Sequence, residues 1–130
     1  MIARLLTIYE PGSYVVNMPS QPVVVVLHDG QLPDEQVMAP VVERAREGRY
    51  ATAEELPEAI AGAEVLFAYG FFTTAIPDAW PAADALEWIH VASTGVDAIL
   101  SPEVRDSDVV LTNSRGVFDA SIAEYVLAQV

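Results

Sequence analysis

Pro22-Val23-Val24-Val25-Val26-Leu27-His28 is a continuous β-branched run of strand length, closed by the turn residues Asp29-Gly30. The run does not alternate between apolar and polar residues, so both faces of the strand are expected to be buried. That is the mark of a parallel strand covered by helices on each side. Three further runs share this character: Val65-Leu66-Phe67-Ala68-Tyr69, Trp88-Ile89-His90-Val91-Ala92 and Val109-Val110-Leu111-Thr112. Arg49-Tyr50-Ala51-Thr52 is a shorter candidate for a fifth strand.

Between the runs lie stretches of helical composition, from Asp34 to Glu47, Ala53 to Ala61, Pro77 to Leu86 and Val96 to Val104. Pro40 is expected to kink the first of them or to shift its start, because proline cannot donate in a helix interior. Gly48 reads as that helix's C-terminal stop, with Arg44 and Arg46 in the last turn where the helix dipole favours cations. Strands alternating with helices at this spacing predict an α/β fold, a flavodoxin-like, doubly wound and mainly parallel sheet of five strands. Residues 1–21 stand outside the pattern. Leu5-Leu6-Thr7-Ile8-Tyr9, a turn at Glu10-Pro11-Gly12-Ser13, and Tyr14-Val15-Val16-Asn17 suggest a hairpin-like N-terminal extension.

At the other end, Ser121-Ile122-Ala123-Glu124 matches a capping box, followed by an apolar stripe at Ile122, Val126 and Val130. No glycine, proline or cationic last turn closes this helix, which reads as an element cut short. The expected organisation is an extension over 1–21, a substrate-binding domain over 22–118, and the start of an interdomain helix over 119–130.

Composition narrows the function classes. The 130 residues carry six arginines, no lysine, and 19 acidic side chains, for a formal net charge of −13. Such a field repels phosphate backbones and anionic membrane surfaces, so neither nucleic acid nor membrane is an expected partner. Cysteine is absent, which removes disulfides, thiolate metal sites and cysteine nucleophiles together. No apolar stretch reaches the length of a signal peptide or a membrane span, so a cytoplasmic protein is the expectation. The two histidines, His28 and His90, have no second ligand at metal-binding spacing and read as hydrogen-bonded strand residues. No Gly-x-Gly-x-x-Gly, Walker-type loop or Gly-x-Ser-x-Gly occurs. Without a lysine and without an acidic residue directly after the third strand, phospho-receiver chemistry is excluded too.

Ligands on open α/β sheets bind outside the carboxyl ends of the strands, which directs attention to the residues after each run. Ser93-Thr94-Gly95 is a small-residue turn expected to run from a strand into a helix at Val96, leaving backbone N–H groups free for a carboxylate. An ordinary turn, with Ser or Thr as N-cap and Asp97 in the first helical turn, is the other reading of the same residues. Tyr69-Gly70-Phe71-Phe72 is a candidate apolar wall, or simply packing.

The segment Trp88-Ile89-His90-Val91-Ala92-Ser93-Thr94-Gly95-Val96-Asp97-Ala98-Ile99-Leu100 resembles the strand, loop and helix of the D-isomer-specific 2-hydroxyacid dehydrogenases. Val109-Val110-Leu111-Thr112-Asn113-Ser114-Arg115-Gly116 and Ser121-Ile122-Ala123-Glu124-Tyr125 are similar to that family's Asn-x-x-Gly turn and the helix start that follows it. The resemblance implies an enzyme that interconverts a 2-keto acid and a D-2-hydroxy acid by hydride transfer with NAD or NADP, in a homodimeric parent. It implies that the loop at Ser93, Thr94 and Gly95 offers N–H groups to the substrate carboxylate. It also implies that Thr94 lies near the nicotinamide and that Tyr69, Gly70 and Phe71 flank the substrate side chain. The family's catalytic arginine, glutamate and histidine, and its dinucleotide loop, belong to a following domain with no counterpart here. This chain alone is therefore expected to be inactive, with no catalytic or metal-binding residue of its own. Three departures stand out: Ser93 where the family has glycine, Tyr125 in place of a histidine, and Arg115 inside the Asn-x-x-Gly turn. A stand-alone flavodoxin-like binding or interaction module without catalysis is the alternative.

Overall fold

The computed structural model describes residues 5–7, 19–70 and 74–129. Its strands are β1 (Leu5–Thr7), β2 (Val23–Leu27), β3 (Glu47–Ala51), β4 (Val65–Ala68), β5 (Trp88–Val91) and β6 (Val110–Asn113). They form one sheet in the order β1-β6-β5-β4-β2-β3, and every neighbouring pair is parallel. The five strands β3-β2-β4-β5-β6 are the flavodoxin-like arrangement. β2 is followed outward by β3 on one side, and the chain then crosses to β4 on the other, which sets the topological switch point between β2 and β4. β1 extends the sheet beyond β6, and the second arm of the expected N-terminal hairpin lies outside the described residues.

All five residues of β2 are buried, as an uninterrupted apolar run between two neighbours requires. One sheet face carries Val23, Val25, Leu27, Leu66, Ile89 and Leu111, which join Leu56, Ile60, Ile76 and Val104 from the connections in a single core. Those connections are α2 (Leu56–Ala59), α3 (Ala75–Ala79) with a 3₁₀ turn at Trp80–Ala82, and α4 (Pro102–Arg105). The opposite face follows from the register, where Val26 pairs with Phe67, Phe67 with His90, and His90 with Thr112. There Phe67, Trp88 and His90 are only half-buried among the described residues, so β5 is covered fully on one side alone. The rings of Phe67 and His90 stack at 5.6 Å.

Several element boundaries depart from the sequence expectation. Helix α1 (Glu35–Arg44) runs through Pro40 and is capped by Asp34, whose side chain accepts from the N–H groups of Gln36 and Val37. Gly48 does not stop it. Ala45 turns extended, and the Arg46 N–H donates to the Pro22 carbonyl at 2.9 Å, so pairing with β2 ends the helix and Gly48 lies inside β3 opposite Val24. Arg46 is thus outside the last turn and reaches Glu64 at 3.4 Å. The helix expected from Val96 begins instead at Pro102. Proline is favoured in the first turn, it holds Ser101 extended, and the Ser101 hydroxyl accepts from the Val104 N–H. Helix α5 (Asp119–Ala128) starts two residues before Ser121 with no side-chain cap, so the capping box does not form. A turn closed by the Val117 N–H on the Ser114 carbonyl, with Gly116 at φ 86°, already delivers Phe118 in helical geometry. None of α5's described residues is buried, and Ile122, Tyr125, Val126 and Leu127 are all exposed. Among the described residues no helix is long and apolar enough to cross a membrane.

Candidate functional site

The carboxyl ends of β4, β5 and β6 adjoin, and three loops leave them side by side: Tyr69–Gly70, Ser93–Gly95 and Ser114–Gly116. The Ala92 N–H donates to the Ala68 carbonyl at 3.0 Å, and the Ser114 N–H donates to the Ser93 carbonyl at 3.1 Å, tying the middle loop to both neighbours.

Within Ser93–Gly95 the carbonyls and the amides have opposite fates. The Ser93 carbonyl accepts from Ser114, the Thr94 carbonyl accepts from Asn113 Nδ2 at 2.8 Å, and the Gly95 carbonyl accepts from Ser93 Oγ at 2.8 Å. The N–H groups of Ser93, Thr94 and Gly95 have no protein acceptor among the described residues. Ser93 is half-buried, whereas Thr94 and Gly95 are exposed, so these donors stand at the rim with water as their alternative partner. The chemistry available is acceptance of a small anion by a short array of backbone donors.

One part of the expected mechanism falls away. No helix follows Gly95; Val96 to Leu100 form a turn in which the Ile99 and Leu100 N–H groups donate to the Val96 carbonyl. The loop therefore gains nothing from a helix dipole, and Ser93 and Thr94 are not N-caps. The nearby charges are mixed. An Asp97 carboxylate oxygen lies 3.8 Å from where a side chain on Gly95 would begin, and it opposes an anion. Arg115, immediately after the Asn113 and Ser114 anchors, is exposed, and its guanidinium makes no hydrogen bond or ion pair among the described residues.

Tyr69 and Gly70 are placed differently from Ser93–Gly95. The Tyr69 ring contacts Phe67 at 5.7 Å. Both residues donate their N–H groups to the Leu27 carbonyl, at 2.9 and 3.0 Å. Gly70 is buried against the chain itself, since a Cβ there would lie 3.2 Å from the Asp29 nitrogen and 3.4 Å from the His28 carbonyl carbon. The close approach that makes glycine necessary is thus to protein backbone. Phe71 lies outside the described residues. Gly70 also lines an open crevice of about 810 Å³ at the switch point, with His28, Asp29, Glu54, Thr74 and Asp78 around it. Ser93, Thr94 and Gly95 are not part of that lining, so the expected residues fall in two adjoining places.

Comparison with protein-family models, with curated proteins and with solved structures returns no match. The likeness to the 2-hydroxyacid dehydrogenases accordingly rests on the sequence motifs quoted above alone. Of the two histidines, His28 Nδ1 accepts from the Gly30 N–H at 3.2 Å and closes the turn after β2. His90 lies on the half-covered sheet face, where burial lowers its pKa below the ordinary value of 6.5. Among the described residues no three His, Asp or Glu side chains converge as a metal ion would need.

Sequence reading placed Asn113 and Ser114 in an Asn-x-x-Gly turn but gave them no role at the neighbouring loop. Asn113 is 4% exposed, and its two ends engage two different loops, Nδ2 donating to Thr94 and Oδ1 accepting from the Arg115 N–H at 3.4 Å. The available signal was a polar residue closing a buried apolar run, a position where an amide side chain needs partners.

Proposed function

We propose that this chain is the substrate-binding domain of an NAD(P)-dependent oxidoreductase that interconverts a 2-keto acid and a D-2-hydroxy acid. The observation that carries the reading is the unengaged N–H array at Ser93–Gly95 on the carboxyl edge of the sheet, within the segment that resembles the D-2-hydroxyacid dehydrogenases. In this reading the array holds the substrate carboxylate, the loop at Tyr69, Gly70 and Phe71 borders its side chain, and Thr94 faces the nicotinamide.

A bound NAD or NADP would supply the hydride acceptor or donor. The chain's own part is to fix the carboxylate so that the 2-carbon is held at one position, which lowers the entropic cost of the transfer. Proton transfer to the substrate oxygen and polarisation of the carbonyl fall to histidine and arginine residues of a dinucleotide-binding domain. The exposed Ile122, Val126 and Leu127 of α5 offer such a domain an apolar surface.

Affinity sets the test. Hydrogen bonds to a charged group contribute about 1.5–3 kcal/mol each; at the low end, which applies to exposed donors with no neutralising cation, two or three amides give about 3–4.5 kcal/mol, a dissociation constant on the order of 1 mM. Calorimetric titration should detect pyruvate and glyoxylate in that range and a cationic amine of similar size not at all. The reading is overturned by the absence of binding to any 2-oxo monocarboxylate at tens of millimolar.

A further inference from the structure

The inference rests on the reading of Ser93–Gly95 as a carboxylate site and concerns what keeps its donors turned outward. Every described peptide bond is trans, so the carbonyl of one residue and the N–H of the next point in opposite directions from the same plane. Holding the Thr94 carbonyl inward therefore holds the Gly95 N–H outward. Asn113 does the holding, through Nδ2 at 2.8 Å. Holding the Ser93 carbonyl similarly aims the Thr94 N–H, and there the donor is the backbone of Ser114.

Thr94 itself is exposed, and the bond its carbonyl accepts from Asn113 is only part-buried. Asn113, in contrast, is buried at the end of a strand whose inward-facing neighbour Leu111 is fully buried, and an amide there carries a desolvation cost that an apolar side chain would avoid. Its orientation is fixed because Oδ1 accepts from the Arg115 N–H, which leaves Nδ2 to face the loop. What this arrangement achieves is one peptide plane locked in one orientation.

We propose that Asn113 is a positioning residue for the anion site, locking the Thr94–Gly95 peptide so that the Gly95 N–H is available to a carboxylate. Asn113→Asp keeps the shape and the Arg115 contact but cannot donate to Thr94 at neutral pH, and Asn113→Ala removes the contact without adding charge.

Pyruvate is the probe, and amide NMR with a binding isotherm is the measurement. Both variants should bind pyruvate about tenfold or more weakly, as expected for loss of one bond to a charged group. The Gly95 amide signal should move in the ligand-free protein, and that of Thr94, held by Ser114, should move less. Wild-type affinity in both variants, or an unmoved Gly95 signal, overturns the proposal. Should both variants fail to fold, the through-hydrogen-bond coupling between Asn113 Nδ2 and the Thr94 carbonyl carbon decides on the unaltered protein, and its absence counts against the lock. If the wild type does not bind pyruvate, the dehydrogenase reading fails, while the Gly95 shift and the coupling still judge the role of Asn113.

Discussion

Thr112→Val tests the polar seam between β5 and β6 that precedes the site. The Thr112 side chain is 5% exposed, and its hydroxyl accepts from Trp88 Nε1 at 2.9 Å and lies 2.7 Å from His90 Nδ1. A hydroxyl has one proton; with the Ile89 carbonyl at 3.5 Å, the shorter contact assigns that proton to His90. His90 is then neutral, accepts at Nδ1, and carries its proton on Nε2, 3.4 Å from Ser114 Oγ. Valine keeps the shape and leaves two ring nitrogens without their partner. Each orphaned buried group costs about 1–3 kcal/mol, and because water reaches half-buried rings the low end applies to both, for a loss of about 2 kcal/mol. With a urea dependence of about 2 kcal/mol per molar, the unfolding midpoint should fall by about 1 M. Imidazole ¹⁵N shifts should report the Nε2–H tautomer in the wild type. A midpoint unchanged within 0.2 M (roughly the reproducibility of such curves), or an Nδ1–H tautomer, would refute this account of the seam.

Glycine substitutions should separate the two loops. Gly70→Ala forces a methyl to 3.2 Å from the Asp29 nitrogen and should cost about 1–3 kcal/mol of stability by thermal or urea unfolding. Gly95→Ala meets only the Asp97 carboxylate at 3.8 Å and is not in the left-handed region, so it should be neutral or stabilise by about 0.4–1 kcal/mol. Acidification should weaken the fold in two stages, followed by unfolding free energy against pH. Burial depresses the pKa of His90, so the unfolded chain binds its proton more readily and stability declines as pH drops below 6.5. Glu64, held low first by the Val23 N–H and then by Arg46, and Glu55, held low by the Thr52 N–H, lose their contributions below the ordinary carboxylate value of 4.5. Val126→Asp on α5 should change stability by less than about 0.5 kcal/mol yet reduce the binding of apolar dyes, since that side chain is 55% exposed.

The sheet was legible because burial on both faces leaves a continuous apolar run, and β2 with five buried residues is the clearest case. β3 was harder to read: Glu47-Gly48-Arg49-Tyr50-Ala51 is an edge strand, mostly exposed, and has no apolar pattern to display. Helix boundaries moved wherever a tertiary contact competed with a local signal. Pairing of Arg46 with Pro22 overrode the glycine stop, and the turn at Gly116 overrode the capping box at Ser121. At Ser101-Pro102 the local signal is decisive: a serine cap and a first-turn proline start the helix there and not at Val96, where helical composition begins. The half-covered face of β5 departs from the sequence expectation of burial on both faces: Trp88 and His90 are half-buried and alternate with the buried Ile89 and Val91. The loop at Ser93–Gly95 was legible as a small-residue turn after a strand. Its anchors were not, because only the parallel pairing of β5 with β6 brings Asn113 beside Thr94, across 19 residues of sequence.

The most direct measurement follows the backbone amide signals of the unmodified chain through a titration with pyruvate. Saturable shifts confined to Ser93, Thr94, Gly95 and their immediate neighbours, absent with a cationic amine, are the predicted result. A carboxylate that leaves those signals in place, or that instead perturbs only the crevice at His28 and Gly70, would contradict the account.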